Sequence, residues 1–307
     1  MNVLVTGASG FVGSALIPRL VREGHAVRAY GRSAARVHAD VPVLEGDAVA
    51  GTGLDAALEG IEVAYFLIHS MEAAGPDGGS FSDRDRTAAE AFGRAADAAG
   101  VRRVIYLGGL VPSAARPSAH LASRLEVEQI LLACAAEGVA LRASIVIAAA
   151  SRSFRFLVRL VERLPVLALP AWRRHRTQPI DGRDVVEYLA HAAAAPAALV
   201  AGRSLDIAGP DVLTYGRMID RIRDAMLVAR PAVPLGFSAT RIASRVAAEI
   251  AGEDHELVGP LMEGLGHDLL PRDDAGARAL GVRLHRFDAA VERALRDWEA
   301  REPLAAR

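Results

Sequence analysis

The chain has 307 residues, of which 51% are apolar, and a formal net charge of −1. This length suits one large core or one domain with a smaller appendage, and the near-zero charge argues against a broad surface for nucleic acid or anionic membranes. All 36 basic residues are arginine, which excludes chemistry based on a lysine amine, and the single cysteine, Cys134, is expected to be a small buried apolar residue.

A glycine-rich turn follows the first apolar segment. Residues 3–6 predict a buried strand, and residues 11–22 predict an amphipathic helix. Gly7 permits a sharp exit from the strand, Gly10 lets backbone N–H groups approach a pyrophosphate, and Gly13 lets the helix pack closely on the strand. The N-terminus of that helix then faces the anion. The spacing therefore predicts a dinucleotide-binding turn, with contacts from Gly7, Ser9, Gly10, Phe11, Val12 and Gly13.

The second predicted strand, at residues 26–30, ends where a dinucleotide-binding unit recognises the ribose. An acidic residue there hydrogen-bonds the ribose hydroxyls of NAD, whereas this chain has Arg32 followed by Ser33. Because a guanidinium suits a 2′-phosphate, we expect NADP(H) as cofactor in preference to NAD(H). The alternative is that Arg32 is a solvated loop residue, or one stacked on the adenine.

The next two predicted strands each end in a polar residue. Residues 41–47 end at Asp47, which either accepts a hydrogen bond from the adenine amino group or caps the following helix. Residues 61–69 are a continuous apolar run, typical of a central parallel strand, with His69 at its carboxyl end. Ligands bind at that edge of open α/β sheets, so His69 is either a contact of the cofactor or substrate or a structural residue. Residues 72–82 predict a flexible loop beside the site that closes over substrate.

Helix and strand patterns continue to alternate as far as residue 148. The predicted segments are a helix over 83–100, a strand over 102–107, a helix over 118–137 stopped by Gly138, and a strand over 139–148. Such alternation requires right-handed crossovers and a parallel sheet with helices on both faces. We therefore predict an α/β fold with a doubly wound parallel sheet of the Rossmann type, and an NAD(P)-binding domain at residues 1–150.

Beyond residue 150 the pattern is looser. Residues 151–307 predict a smaller, mainly helical substrate-binding region with interspersed core elements, which is not an independent domain. The basic cluster at residues 173–176 is either a solvated loop or a clamp for an anionic substrate, and residues 235–237 and 257–270 are expected to line a pocket. No stretch has the spacing of a metal site or of a nucleophile elbow, so we expect no metal.

Five stretches resemble a known family. The turn over residues 6–13 and the second strand over 27–32 are similar to the atypical, NmrA-like branch of the short-chain dehydrogenase/reductase superfamily. The runs over 66–71, 105–110 and 177–185 are similar to one subgroup of its bacterial members. The resemblance covers nearly the whole chain and implies NAD(P)H binding and a small-molecule substrate, but it indicates no particular substrate.

The chain departs from the family pattern where the proton is transferred. Standard members carry a serine after the fifth strand and a Tyr-x-x-x-Lys motif on the next helix, in which the tyrosine donates the proton and the lysine lowers its pKa. Here Gly108 and Gly109 stand in place of the serine, while His120 and Arg124 occupy the tyrosine and lysine positions. Four-residue spacing puts both side chains on one helix face. We expect His120 to act as acid and base, and Arg124 to hold it unprotonated and bind the nicotinamide ribose.

The leading hypothesis is an NADP(H)-dependent oxidoreductase that reduces or oxidises a small-molecule carbonyl or enone. Tyr106 and Ser123 are weaker alternative proton donors. The other hypotheses are a catalytically lapsed sensor or regulatory protein that reads the NADP(H) ratio, and a non-redox isomerase or cyclase on the same fold. With no leader and no apolar run of membrane-spanning length in view, we expect a cytoplasmic monomer or homodimer without nucleic-acid or membrane partners.

Overall fold

A computed structural model of the protein describes residues 1–69, 80–112, 117–235 and 265–304. Most of the loop predicted at residues 72–82 lies outside the described residues. The same holds for most of the pocket lining predicted at residues 235–237 and 257–270.

A seven-stranded parallel sheet forms the centre of the molecule. Its strands are β1 (Asn2–Thr6), β2 (Ala26–Gly31), β3 (Val43–Glu45), β4 (Val63–Phe66), β5 (Arg103–Gly109), β6 (Glu137–Ala143) and β11 (Arg203–Ile207). They lie in the order β11-β6-β5-β4-β1-β2-β3, and every neighbouring pair is parallel. The strand order reverses at β1, as it does in a doubly wound dinucleotide-binding sheet. The predicted fold class is thus confirmed.

Some of the helices in the described residues cover both faces of this sheet, and the others pack outside it. The helices are α1 (Phe11–Arg22), α2 (Leu54–Leu58), α3 (Phe81–Ala98), α4 (Ala119–Ala133), α5 (Arg152–Arg163), α6 (Gly182–Ala194), α7 (Ala197–Val200), α8 (Tyr215–Ala225), α9 (Ala275–Leu280) and α10 (Phe287–Glu299). Val3 and Val5 of β1 pack in the core under α1 and α6, whereas Leu4 packs in the core under α2, α3 and α4. Because successive side chains of a strand point to opposite faces, a strand covered on both sides is apolar throughout.

The boundary between α4 and β6 differs from the predicted one. The helix ends at Ala133 rather than near residue 137, and Gly138, which was expected to stop the helix, lies within the strand. The chain leaves the helix earlier through Ala135, which adopts a left-handed conformation with φ of 61°. Glycine is needed at position 138 for close approach, because a Cβ there would lie 2.5 Å from the carbonyl oxygen of Leu132.

The second half of the chain both extends the sheet and builds a separate cluster. The remaining strands form three short pairs outside the central sheet: β7 (Val146–Ile147) with β10 (Ile180–Asp181), β8 (Leu167–Leu169) with β13 (Ala232–Pro234), and β9 (Arg176–Thr177) with β12 (Leu213–Thr214). A hydrophobic cluster that includes Phe154, Met218 and Trp298 holds α5, α8 and α10 together. Strand β11 comes from this half and pairs with β6, so both halves share the central sheet.

Candidate cofactor and active site

The glycine turn brings three chain segments closer together than side chains would permit. Gly7 has a positive φ of 64°, and a Cβ on it would lie 2.6 Å from the carbonyl oxygen of Leu67, just after β4. A Cβ on Gly13 would lie 2.4 Å from the carbonyl oxygen of Gly7. Both positions therefore require glycine, and they seat the start of α1 against the ends of β1 and β4.

The N-terminus of α1 fits the pyrophosphate of a dinucleotide. Gly10 is the N-cap residue, its N–H donates to the carbonyl oxygen of Gly7 at 2.9 Å, and the first turn of the helix carries no acidic residue. Ser9 and Gly10 are exposed, so this backbone is accessible to a ligand. A helix N-terminus with accessible N–H groups and no competing carboxylate attracts an anion. The ring of Phe11 packs against Gly182. A Cβ on Gly182 would lie 2.9 Å from Cζ of Phe11.

The expected ribose-recognition residues lie at the end of β2. Arg32 is exposed, and Ser33 is half-buried at the start of a short 3-10 helix. The neighbouring strand contributes Glu45, whose Oε1 accepts a hydrogen bond from the Ala34 N–H at 2.6 Å. This carboxylate holds the loop that carries Arg32. Arg32 would contact a 2′-phosphate at this end of the site, and Glu45 would contact a 2′-hydroxyl.

The carboxylate of Asp47 shapes a turn after β3. Its Oδ1 accepts hydrogen bonds from the backbone N–H groups of Val49 at 2.8 Å and Ala50 at 3.2 Å. The Asp47 N–H in turn donates to Oγ1 of Thr52 at 2.9 Å. Asp47 therefore caps this turn and not the following helix α2, whose N-cap residue is Gly53 and has no side-chain cap. Contact of Asp47 with the adenine stays a prediction.

Four polar side chains meet at the carboxyl ends of β4 and β5. His69 follows β4, Asp85 lies on α3, and His120 and Arg124 lie on α4. The His69 Nδ1 is 3.1 Å from Oδ2 of Asp85, and the ring centroids of His69 and His120 are 5.0 Å apart. The structure thus brings His69 and His120 together, although they are far apart in the sequence.

The side chain of Arg124 is held at the end of β5. Its Nη2 donates a hydrogen bond to the carbonyl oxygen of Leu107 at 2.6 Å, and its guanidinium lies 5.8 Å from the ring centroid of Tyr106. A Cβ on Gly109 would lie 3.4 Å from Cδ2 of Leu121 and 3.9 Å from Nε of Arg124. These are ordinary van der Waals distances, so the packing of α4 on the strand end does not require glycine at position 109.

Burial and positive charge keep both histidines neutral at pH 7. Burial, the neighbouring His69 and Arg124 lower the pKa of His120 to about 3, and the carboxylate of Asp85 opposes them. The pKa of His69 is also lowered, by burial and by Arg124, while its hydrogen bond to Asp85 acts in the opposite direction. A neutral imidazole has one nitrogen that donates and one that accepts, so either ring can accept a hydrogen bond from a bound hydroxyl.

The alternative donors are less suited to proton transfer. Tyr106 is buried within β5, as expected, and burial raises the pKa of its phenol. Its Oη donates to the carbonyl oxygen of Arg124 at 3.3 Å. Ser123 is buried, and its Oγ has no hydrogen-bond partner among the described residues. The role of Tyr106 or Ser123 as an alternative proton donor stays a prediction.

The sequence analysis missed Asp85. The residue is 4% exposed and lies on the face of α3 that also buries Ala88, Ala89 and Phe92. An acidic residue at a core-facing position of an amphipathic helix is unusual unless it has a partner, and that pattern was the available signal.

One member of the basic cluster at residues 173–176, Arg176, pairs with a carboxylate of the protein. Arg176 Nε donates to Oδ2 of Asp268 at 2.8 Å, and the Arg176 N–H donates to Oδ1 at 2.7 Å. The Nε of Arg173 is buried without a hydrogen-bond partner in the described part of the chain. The pairing of Arg176 with Asp268 attaches residues beyond 265 to β9, which is a structural role.

The described residues contain neither a candidate membrane-spanning helix nor a candidate metal-binding cluster. No helix there is both long enough and apolar enough to cross a membrane. Within the same residues, no group of three or more His, Cys, Asp or Glu side chains has an arrangement that would hold a metal ion.

Comparison with known proteins agrees with the glycine turn and the sheet. Residues 7–146 match the family model described as NAD(P)H-binding. A 115-residue stretch, 34% of the chain, is 35% identical to 3 beta-hydroxysteroid dehydrogenase/Delta 5-->4-isomerase from two strains of Mycobacterium tuberculosis. The match spans only 30% of the length of these curated relatives.

Solved structures with the same fold span almost the whole chain. A nucleoside-diphosphate-sugar epimerase from Staphylococcus aureus superposes with a TM-score of 0.77 at 15% identity, covering 95% of this chain and 100% of the other. A short-chain dehydrogenase/reductase superfamily protein from Agrobacterium tumefaciens with bound NAD gives a TM-score of 0.68 at 18% identity, covering 98% of each chain. These findings agree with the predicted fold: the solved structures share it across almost the whole chain, and residues 7–146 are similar to an NAD(P)H-binding domain.

Proposed function

Starting from an NAD(P)H-binding domain on a doubly wound sheet, we propose that the protein is an NADP(H)-dependent oxidoreductase of a small-molecule carbonyl or enone. The observation that carries this proposal is the meeting of His69, His120 and Arg124 at the carboxyl ends of β4 and β5. Ligands of open α/β sheets bind at this edge. The histidines supply proton-transfer groups there, and Arg124 supplies a fixed positive charge.

The cofactor supplies hydride transfer, and the chain supplies binding, orientation and the proton. We propose that the α1 N-terminus with its glycine turn holds the pyrophosphate, and that Arg32 and Ser33 hold the 2′-phosphate of NADP(H). Arg124 would hold the nicotinamide ribose. In this proposal His120 keeps the neutral form that its lowered pKa favours and hydrogen-bonds the substrate oxygen.

The test of the proposed function is NADPH turnover by the purified protein. Calorimetry measures NADPH and NADH binding first, and absorbance at the reduced nicotinamide band then follows oxidation in the presence of quinones, enones and ketones. We expect NADPH to bind and to be oxidised with at least one member of the panel. No binding of either nucleotide would overturn the proposal.

The role of His120 is tested by His120→Gln. If His120 orients the substrate, turnover falls by about tenfold or more, since one lost hydrogen bond to a reacting oxygen costs 1–2 kcal/mol or more. NADPH affinity is expected to change little. Unchanged turnover with unchanged NADPH affinity would remove His120 from the active site.

The second candidate is a sensor that binds NADP(H) without turning it over. The pKa of His120 near 3 favours this candidate, because an imidazole with so low a pKa is a weak base and is almost never protonated at neutral pH. The missing serine, tyrosine and lysine favour it too. Under this candidate NADPH binds tightly in the calorimetric experiment and is oxidised with no member of the panel.

A further inference from the structure

A buried carboxylate lies behind His69. Asp85 is 4% exposed, and its Oδ2 is 3.1 Å from Nδ1 of His69. Removing a carboxylate from water is costly unless charged or hydrogen-bonding groups compensate for it. An apolar residue at this core-facing position of α3 would avoid that cost. Packing of the helix therefore does not explain why the residue is acidic.

The other ring nitrogen of His69, Nε2, is buried and makes no hydrogen bond with the described residues. Buried polar atoms are nearly always paired, and an unpaired one requires an explanation, such as a bound ligand, an ordered water or a catalytic role. The ring of His120 lies beside it, with centroids 5.0 Å apart, at the edge of the sheet where the nicotinamide end of the site is proposed.

We propose that Asp85 is a positioning residue that fixes the orientation and tautomer of His69, and that Nε2 of His69, rather than a nitrogen of His120, exchanges the proton with the substrate. This inference rests on the proposed function for the identity of the reaction. The contact between His69 and Asp85 does not depend on that function and is tested separately below.

The chemistry follows from which atom holds the hydrogen. With the carboxylate accepting from Nδ1–H, neutral His69 presents a lone pair at Nε2. In the oxidation direction one proton passes from the substrate hydroxyl to Nε2, while the two electrons of the adjacent C–H bond leave as hydride to the oxidised nicotinamide. The imidazolium that forms lies next to the negative charge of Asp85. In the reduction direction the same proton returns to the oxygen.

The charges around the two rings give them different roles. Arg124 of α4 opposes protonation of both rings, and Arg152 of α5 opposes protonation of His69. Asp85 favours protonation of both, but its hydrogen bond is to His69. His69 is therefore the ring on which a proton is stabilised by a direct partner, and His120 is the neutral neighbour.

Nitrogen-15 NMR of labelled histidine tests the positioning role without any cofactor or substrate. The His69 signals are assigned from their absence in His69→Gln. We expect neutral wild-type His69 to carry its hydrogen on Nδ1, and Asp85→Asn to shift the ring towards the Nε2–H tautomer. The control is Glu90→Gln, which changes an exposed carboxylate on the same helix and is expected to leave the signals unchanged. Wild-type His69 with its hydrogen on Nε2 would overturn the inference.

The catalytic part is tested with NADPH and the most active ketone of the panel, and with NADP⁺ and the alcohol made from that ketone. We expect His69→Gln to lower kcat by about 10²- to 10⁴-fold, the usual contribution of a proton-transfer residue, with KM for the cofactor little changed. In Asp85→Asn the midpoint of the pH profile for alcohol oxidation is expected to move to lower pH, because the carboxylate raises the pKa of His69. The same midpoint as in wild type would contradict the role of Asp85.

The outcomes separate the inference from the proposed function. If NADPH does not bind, the proposed function fails, and the NMR result still decides whether Asp85 fixes the tautomer of His69. If NADPH is oxidised but His69→Gln retains full kcat, the oxidoreductase proposal stands and this inference is wrong. If His120→Gln, and not His69→Gln, abolishes turnover, the proton is exchanged by His120 instead.

Discussion

The predicted preference for NADP(H) over NAD(H) rests on Arg32. It lies exposed at the end of β2, and Glu45 on the neighbouring strand holds the same loop. A guanidinium binds a 2′-phosphate through charge-assisted hydrogen bonds, whereas a carboxylate binds the 2′-hydroxyl. The preference for NADP(H) therefore stays a prediction that depends on which of the two side chains faces the ribose.

Replacing Arg32 by aspartate reverses the charge at that position. We expect NADPH binding to weaken by about tenfold or more, since a charge-assisted hydrogen bond contributes about 1.5–3 kcal/mol, and NADH binding to change much less. Calorimetric titration of both nucleotides measures the difference. Arg36→Ala, an exposed arginine in the following 3-10 helix, is the control. Equal losses for NADPH and NADH would rule out recognition of the 2′-phosphate by Arg32.

Gly13 offers a test of the glycine turn. A Cβ at this position would lie 2.4 Å from the carbonyl oxygen of Gly7, so Gly13→Ala forces α1 away from the turn. We expect a loss of about 1–3 kcal/mol in the free energy of unfolding, as for other overpacked sites, together with weaker NADPH binding. Urea unfolding and calorimetry measure the two effects. The adjacent exposed Ser14→Ala should be close to wild type, and a Gly13→Ala protein with unchanged affinity would show that the helix does not need to lie so close.

At the scale of elements, the carboxyl end of α6 is held by a buried arginine from β5. Arg103 is 1% exposed, and its guanidinium donates to the carbonyl oxygens of Ala193 at 3.0 Å and Ala195 at 2.8 Å. Its Nε also donates to Oε2 of Glu137 at 2.7 Å. Because the last carbonyls of a helix have no partner within the helix, this one side chain joins helix, strand and neighbouring strand.

Arg103→Met removes these contacts while keeping an unbranched apolar side chain. We expect the free energy of unfolding to fall by about 3–5 kcal/mol, because the helix carbonyls and Glu137 lose a buried partner. Arg102→Met is the matched control, since Arg102 is partly exposed and pairs with the same carboxylate at 2.9 Å. For Arg102→Met we expect the free energy of unfolding to fall by less than about 1 kcal/mol. Urea unfolding followed by tryptophan fluorescence compares the two, and similar losses would contradict the role of Arg103.

At the scale of the whole molecule, the lowered pKa values of His69 and His120 make stability depend on pH. An imidazole whose pKa is lower in the folded protein binds more protons when unfolded, so its contribution is complete above the unfolded pKa of 6.5 and is lost as pH falls. For His120, with a folded pKa of about 3, the loss extends from pH 6.5 down to about 3.

His120→Gln should therefore flatten the stability profile. Between pH 7 and pH 5 we expect wild type to lose about 2 kcal/mol more than the variant, the linkage contribution of one histidine with this shift. Urea unfolding at a series of pH values checks the difference, and comparison with the variant removes contributions from carboxylates elsewhere. Parallel profiles would show that His120 is not desolvated in the folded protein.

The sequence by itself determined the features that contiguous residues encode. The glycine turn depends on seven consecutive residues, and the alternation of buried strands with amphipathic helices leads directly to the parallel sheet. The turn can be recognised from its spacing alone, because the close approach at Gly13 is to the nearby Gly7, whereas the close approach of Gly7 to Leu67 is seen only in the structure.

Only the tertiary structure decided which polar residues meet at the edge of the sheet. Asp85 faces His69 because β4 and α3 are consecutive elements that run in opposite directions, and His120 joins them because α4 packs beside α3. The pairing of β11 with β6 was likewise set by contacts between distant parts of the chain. A sequence pattern gives the face on which a side chain lies, but the partner on that face is fixed by how the elements pack.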